Sequence, residues 1–210
     1  MIVVRDDELA EQALDTGQLR CQHAGCGGTL RRDGYARERR VRTRVGQERV
    51  LRPRRVACRR CRRVQVLLPA WCVPRRADDA ETIGVAMLHA AQGRGHRPIA
   101  ALLGRPLSTV RGWLRAARSN AVRAERHAYL KRRLVEDVDP PRLVCLPHAG
   151  TLLGYAVDAL GAAAAAARRH FGNDGQETSP WALLVLVGGS LLLAPSRIQI
   201  RTPNSASEIS

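Results

Sequence analysis

Two close pairs of cysteines constrain this chain more than any other feature. Four residues separate Cys21 from Cys26 and two separate Cys58 from Cys61, with 31 residues between the pairs. That spacing suits two tight knuckles holding one tetrahedral ion, with a hairpin across the gap. The expected cofactor is therefore a structural Zn2+ bound by Cys21, Cys26, Cys58 and Cys61. Gly27 and Gly28 follow the first pair and supply the positive φ that a knuckle exit needs, whereas Arg62 follows the second. A thioredoxin-like redox role for Cys58 and Cys61 is disfavoured, because no strand-helix pattern follows them. His23 reads as an exposed bystander inside the first knuckle, and Cys72, beyond Pro69 and Trp71, as buried packing.

The stretch CRRCRR crowds Arg59, Arg60, Arg62 and Arg63 around the second pair. Four thiolates around one divalent ion form an anionic cluster, which makes that crowding tolerable, and the arginines are expected to depress the thiol pKa values. The excess extends further: from Arg31 to Arg63, fifteen arginines meet only Asp33, Glu38 and Glu48. A merely solvated surface mixes both signs. With a net charge of +16 and a pI near 11.3, the chain calls for a polyanionic partner, nucleic acid first and an anionic membrane second. Arginine suits bidentate contacts to phosphate and guanine, although GC-rich codons produce the same bias. In RVRTRV, Arg40, Arg42 and Arg44 alternate with Val41, Thr43 and Val45 before a turn at Gly46 and Gln47. That period of two predicts a hairpin with a ladder of guanidinium groups on one face, facing phosphates.

Beyond a proline-bearing linker the pattern becomes helical. Asp78 is expected to cap a helix with Glu81 as its capping-box partner, Ile83, Met87 and Ala90 recurring at helical spacing as far as Gly93 and Gly95. A short helix over 97–103 then ends at Gly104, and Ser108 is expected to cap the next. Ile99, Leu102 or Leu103, Val110, Trp113 and Leu114 are spaced to form a trihelical core, the pattern of a helix-turn-helix. Its second helix would present Ser108, Thr109, Arg111, Arg115 and Arg118 to the major groove, with Gly112 allowing close backbone approach.

CQHAGCGG, CRRC and GRGHRPIAALLGRPLSTVRGWLR together resemble an uncharacterised zinc-ribbon and helix-turn-helix family of high-GC bacteria. They are similar, too, to the DNA-binding front end of insertion-sequence transposases. The resemblance covers residues 21 to about 130 and implies the four cysteines as ligands and 108–118 as the reading helix. Members of the family are often encoded beside an integrase-type transposase, which implies that enzyme as a partner. Arg62 departs from the glycine usual at its position.

The expected fold class is mainly α with a small β zinc ribbon. Its parts are an N-terminal segment (1–20), the ribbon (21–68), a linker (69–77), the helix-turn-helix with an extended last helix (78–137), a C-terminal helical region (138–195) and a disordered tail (196–210). Two apolar C-terminal helices are expected to pack on the third helix or on a second copy, giving a homodimer. The acidic residues Asp6, Asp7, Glu8 and Glu11 do not suit a signal peptide, and the apolar run 181–194 falls short of the roughly 20 residues a bilayer requires. A cytoplasmic, nucleoid-associated protein is expected. Asp158, Asp174 and Glu177 are too scattered for metal-dependent strand transfer, and Cys145 with His148 lacks a third partner, so no catalysis is expected. The readings in play are a transposition accessory binding double-stranded DNA, a transcriptional regulator, and an RNA-binding zinc ribbon.

Overall fold

The computed structural model describes residues 1–5, 7–136, 150–171, 179–188 and 192–194. Cys145 with His148, Asp174, Glu177 and the tail lie outside the described residues. The N-terminal half is built from β1 (Ile2–Val4), α1 (Asp7–Asp15), β2 (Leu30–Tyr35), β3 (Arg39–Arg42), β4 (Glu48–Leu51), β5 (Arg54–Cys58) and β6 (Val64–Pro69). Four of these strands form a sheet in the order β1-β6-β5-β2, and β3 with β4 forms a separate hairpin. The hairpin register sets Arg40 opposite Val50 and Val41 opposite Arg49, with Val41 fully buried.

The first twenty residues are part of this sheet region rather than a separate segment. β1 runs parallel to β6, pairing Ile2 with Leu67 and Val4 with Pro69. Ala10 and Leu14 of α1 enter the same apolar cluster as Leu30, Val56 and Leu67. The opposite face of α1 carries charge: Glu11 accepts from Arg32 at 2.8 Å and from Arg54 at 2.5 Å, and Asp15 accepts from Arg32 at 2.6 Å. Glu11 and Asp15 thus neutralise Arg32 and Arg54 of the neighbouring strands.

The stretch expected to be a linker is largely interior, with Ala70, Cys72 and Val73 fully buried. It leads into α2 (Ala80–Ala91), whose N-cap is Asp79, accepting from the Thr82 amide at 2.8 Å, rather than Asp78. Next comes α3 (His96–Leu103), closed by Gly104 in the left-handed conformation at φ 59°. The following helix, α4 (Leu107–Glu136), is 30 residues long. It starts one residue ahead of Ser108: the Pro106 carbonyl accepts from the amides of Thr109 and Val110, so Ser108 lies in the first turn and is not the cap. Ile99, Val110, Trp113 and Leu114 are buried as expected, and Leu103 packs against them while Leu102 faces solvent.

Further along α4, Ala117, Ala121, Ala124 and Ala128 are all fully buried. They form one stripe at helical spacing. Their missing side-chain volume admits α5 (Leu152–Phe171), which brings Ala156, Leu160 and Ala163 into the same core. The last helix, α6 (Pro180–Gly188), opens with Ser179 accepting from the Ala182 amide at 3.2 Å. Trp181 sits on Gly84 of α2, where an added Cβ would lie 2.0 Å from the indole. Both apolar C-terminal helices therefore find partners within the chain, on α4 and α2. Among the described residues no helix is long and apolar enough to cross a membrane.

Candidate metal centre and basic face

The sheet brings the two knuckles together because Leu30 of β2 pairs with Cys58 of β5. All four cysteine sulfurs lie within 4.8 Å of one another. Cys21 Sγ and Cys61 Sγ are 3.7 Å apart, and Cys26 Sγ and Cys58 Sγ 3.6 Å. Sulfurs held about 2.3 Å from a tetrahedral zinc-sized ion would be about 3.8 Å apart, so the donor set fits such an ion. Neither His23 nor Cys72 joins the cluster: His23 is half-buried, and Cys72 packs with Val41, Leu51 and Leu68 in a separate apolar group.

The knuckles repeat one another in backbone detail. Cys21 N–H donates to Gly28 O and Cys58 N–H donates to Arg63 O. One residue past the second cysteine of each pair the chain is left-handed, at φ 56° for Gly27 and φ 58° for Arg62. Glycine adopts this conformation freely, whereas a residue with a Cβ loses about 1–2 kcal/mol. Arg62 therefore meets the geometric demand that the sequence pattern makes at this position, with strain. Gly28 answers a different demand, because an added Cβ would lie 2.7 Å from Arg60 Cβ and 2.9 Å from Cys58 Sγ.

Electrostatics distinguish the thiols. The Cys61 amide is the leading cause that brings Cys58 down to about 6, working against partial desolvation and helped by the Arg60 amide; the two amides lie 3.4 and 3.3 Å from Cys58 Sγ. Backbone donors, rather than the guanidinium groups expected, lead this effect. Burial pushes Cys21 up to about 11, so ion binding there must displace a proton. The buried Gln65 donates through Nε2 to Cys21 Sγ at 3.1 Å, orienting that sulfur. Its sequence signal was a lone amide at an inward position of the apolar strand VQVLLP.

The three hairpin arginines each face a carboxylate, which changes the expected free ladder. Arg40 lies 3.6 Å from Glu48 and Arg44 3.4 Å from Glu81. Arg42 donates to Asp78 at 2.9 Å, and the other oxygen of that carboxylate accepts from Arg105 at 2.6 Å. Asp78 is 1% exposed. Arg105, in the turn between α3 and α4, also donates to Thr43 O at 2.9 Å. One buried carboxylate thus fixes the hairpin against that turn, reinforced by Asp79 N–H donating to Arg42 O at 3.0 Å. Spacing gave no hint of this cluster, whose members are 36 and 27 residues apart.

On α4, Ser108, Arg111, Arg115 and Arg118 are exposed, and Thr109 and Gly112 are partly so. Val110, Trp113, Leu114 and Ala117 occupy the buried face. Among the described residues nothing lies within 4 Å of where a Cβ on Gly112 would sit. The structure therefore brings the four cysteines into one cluster, aligns the α4 arginines on one outward face, and turns Arg42 inward.

A family model described as a domain of unknown function (DUF6431) matches residues 21–101, which is less than half of the chain. The matched region spans the metal centre, the hairpin and α2 and stops before α4. No curated protein and no solved structure matches the chain.

Proposed function

We propose that this chain is a zinc-held, sequence-specific double-stranded-DNA-binding protein whose α3 and α4 act as a helix-turn-helix. Zinc is the ion that suits four thiolates at tetrahedral spacing; Cys21, Cys26, Cys58 and Cys61 would hold it, and it would supply folding energy rather than chemistry. The observation that carries the reading is the division of α4, where Arg111, Arg115 and Arg118 face outward from a wholly buried opposite side. Arginines on an exposed helix face can address guanine edges in the major groove. Gly112 supports it: alanine would favour the helix by about 1 kcal/mol, and no contact inside the described fold requires glycine there. The buried Asp78 cluster holds the hairpin against the turn that precedes α4, so Arg40 and Arg44 would flank the reading helix.

The protein is non-catalytic and serves a transposable element, positioning a separately encoded transposase on DNA. The test is to select duplexes from a random pool with the zinc-loaded protein and repeat the selection with Arg111→Ala and Arg115→Ala. The expected result is a shared sequence whose preference weakens by about 1–3 kcal/mol at the contacted base pairs in the variants. A pool with no shared sequence would overturn the reading. Enrichment of element ends and co-purification with a transposase would support the accessory role, and promoter sequences alone would refute it.

A further inference from the structure

The two knuckles share a backbone path but differ in what stands at the left-handed position, Gly27 in one and Arg62 in the other. Arg62 bears conformational strain that glycine would relieve. Its side chain gains nothing inside the protein in return, being exposed with no hydrogen bond or ion pair among the described residues. Arg59 and Arg63, on either side, are likewise exposed and without such a partner. Arg60 differs, because its guanidinium donates to Cys26 O at 2.9 Å and ties the two knuckles together.

Neighbouring structure enlarges this cationic tip. Arg31 pairs across the sheet with Ala57, and the Arg59 amide donates to Thr29 O, which puts Arg31 and Arg59 at adjacent positions on one side of the β2–β5 ladder. Both are exposed. The hairpin offers a contrast, since Arg40, Arg42 and Arg44 already face carboxylates. The second knuckle carries no aromatic ring of its own, and Tyr35 and Trp71 each already have an arginine on one face: Arg54 lies 4.0 Å over the first and Arg49 lies 4.0 Å over the second. Unpaired guanidinium groups on a knuckle that has no ring suit a phosphate backbone rather than unstacked bases.

We infer that the second knuckle is the ribbon's phosphate-gripping surface, with Arg59, Arg62 and Arg63, joined by Arg31, seated on the backbone of a duplex. This rests on the reading of the chain as a duplex-DNA binder and moves the ribbon's main phosphate contact away from the hairpin. It also accounts for a strained residue at a position where glycine would fold more easily.

The experiment measures affinity for a fluorescent random-sequence duplex across a salt series, using the full zinc-loaded chain. Arg59→Ala, Arg62→Gly and Arg63→Ala should each reduce the slope of log K against log salt by about 0.9, the value of one lost phosphate contact. Arg40→Ala should reduce it less, because Glu48 already offsets that charge. Arg62→Gly should at the same time raise the melting temperature by about 2–4 °C, as strain is released. Unchanged slopes in the three knuckle variants, with wild-type protein still binding duplex, would overturn this inference alone. A lower melting temperature for Arg62→Gly would also count against it. Wild-type protein that ignores duplex at low salt, or prefers single-stranded RNA, would overturn the duplex reading and this inference together.

Discussion

The N-terminal sheet region and the helical region differ in how much apolar core each contains. Around the cysteines the apolar cluster is small, with Ile2, Val4, Leu14, Leu30, Val56 and Leu67 as its main members. From α2 to α6, by contrast, one continuous core extends through Ile83, Met87, Trp113 and Leu160 and along the alanine stripe. Small apolar clusters bury too little surface to offset chain entropy unaided, whereas a bound ion concentrates its stabilisation at one point. The contrast teaches that, if the proposed ion binds, the stability of this protein is divided: the sheet region would rest on thiolate ligation, whereas the helical region rests on burial.

The largest expected effect is metal removal. Chelation, or Cys58→Ser, should abolish amide protection in β2, β5 and β6, because a structural zinc site contributes about 10 kcal/mol or more. Protection in α4 and α5 should persist, as followed by hydrogen exchange. Simultaneous loss in both halves would break the comparison.

A second test addresses the junction. Asp78→Ala leaves the buried Arg105 without a counter-charge, its bond to Thr43 O remaining, which should cost about 3–5 kcal/mol in urea unfolding. Hydrogen exchange should then show the hairpin opening ahead of α3 and α4. If the hairpin keeps its protection, the carboxylate is not what holds it.

The smallest effect belongs to the helical half. Gly84→Ala places a Cβ 2.0 Å from the Trp181 ring, and such overpacking should lower stability by about 1–3 kcal/mol. Zinc affinity should be unchanged, and a parallel loss of metal would show that the two regions are less independent than their cores suggest.

Much of this was legible in the sequence where the signal was local. The cysteine spacing pointed to the cluster, and helical periodicity placed Ile99, Val110, Trp113 and Leu114 in one core. Adjacent Asp78 and Asp79 could not be told apart as caps, because what separates them is a tertiary event: Arg42 and Arg105 draw Asp78 into the interior. The parallel pairing of Ile2 with Leu67 was invisible because nothing within either short strand names a partner so remote. The alanine stripe on α4 was present at helical spacing, but the arginines among it made the segment read as polar. Gln65 was hidden by the hydrophobic strand around it, although an inward amide there called for a partner.

Asp78 answers to two arginines, one from the hairpin and one from the turn before α4. Neither region can therefore be exchanged for a foreign counterpart as a free-standing module, since a chimera joining this ribbon to another helical region would need its own equivalent of Arg105. Across natural relatives, positions 42, 78 and 105 should change in concert, a constraint on the divergence of this architecture that neither the metal site nor the helical core would impose.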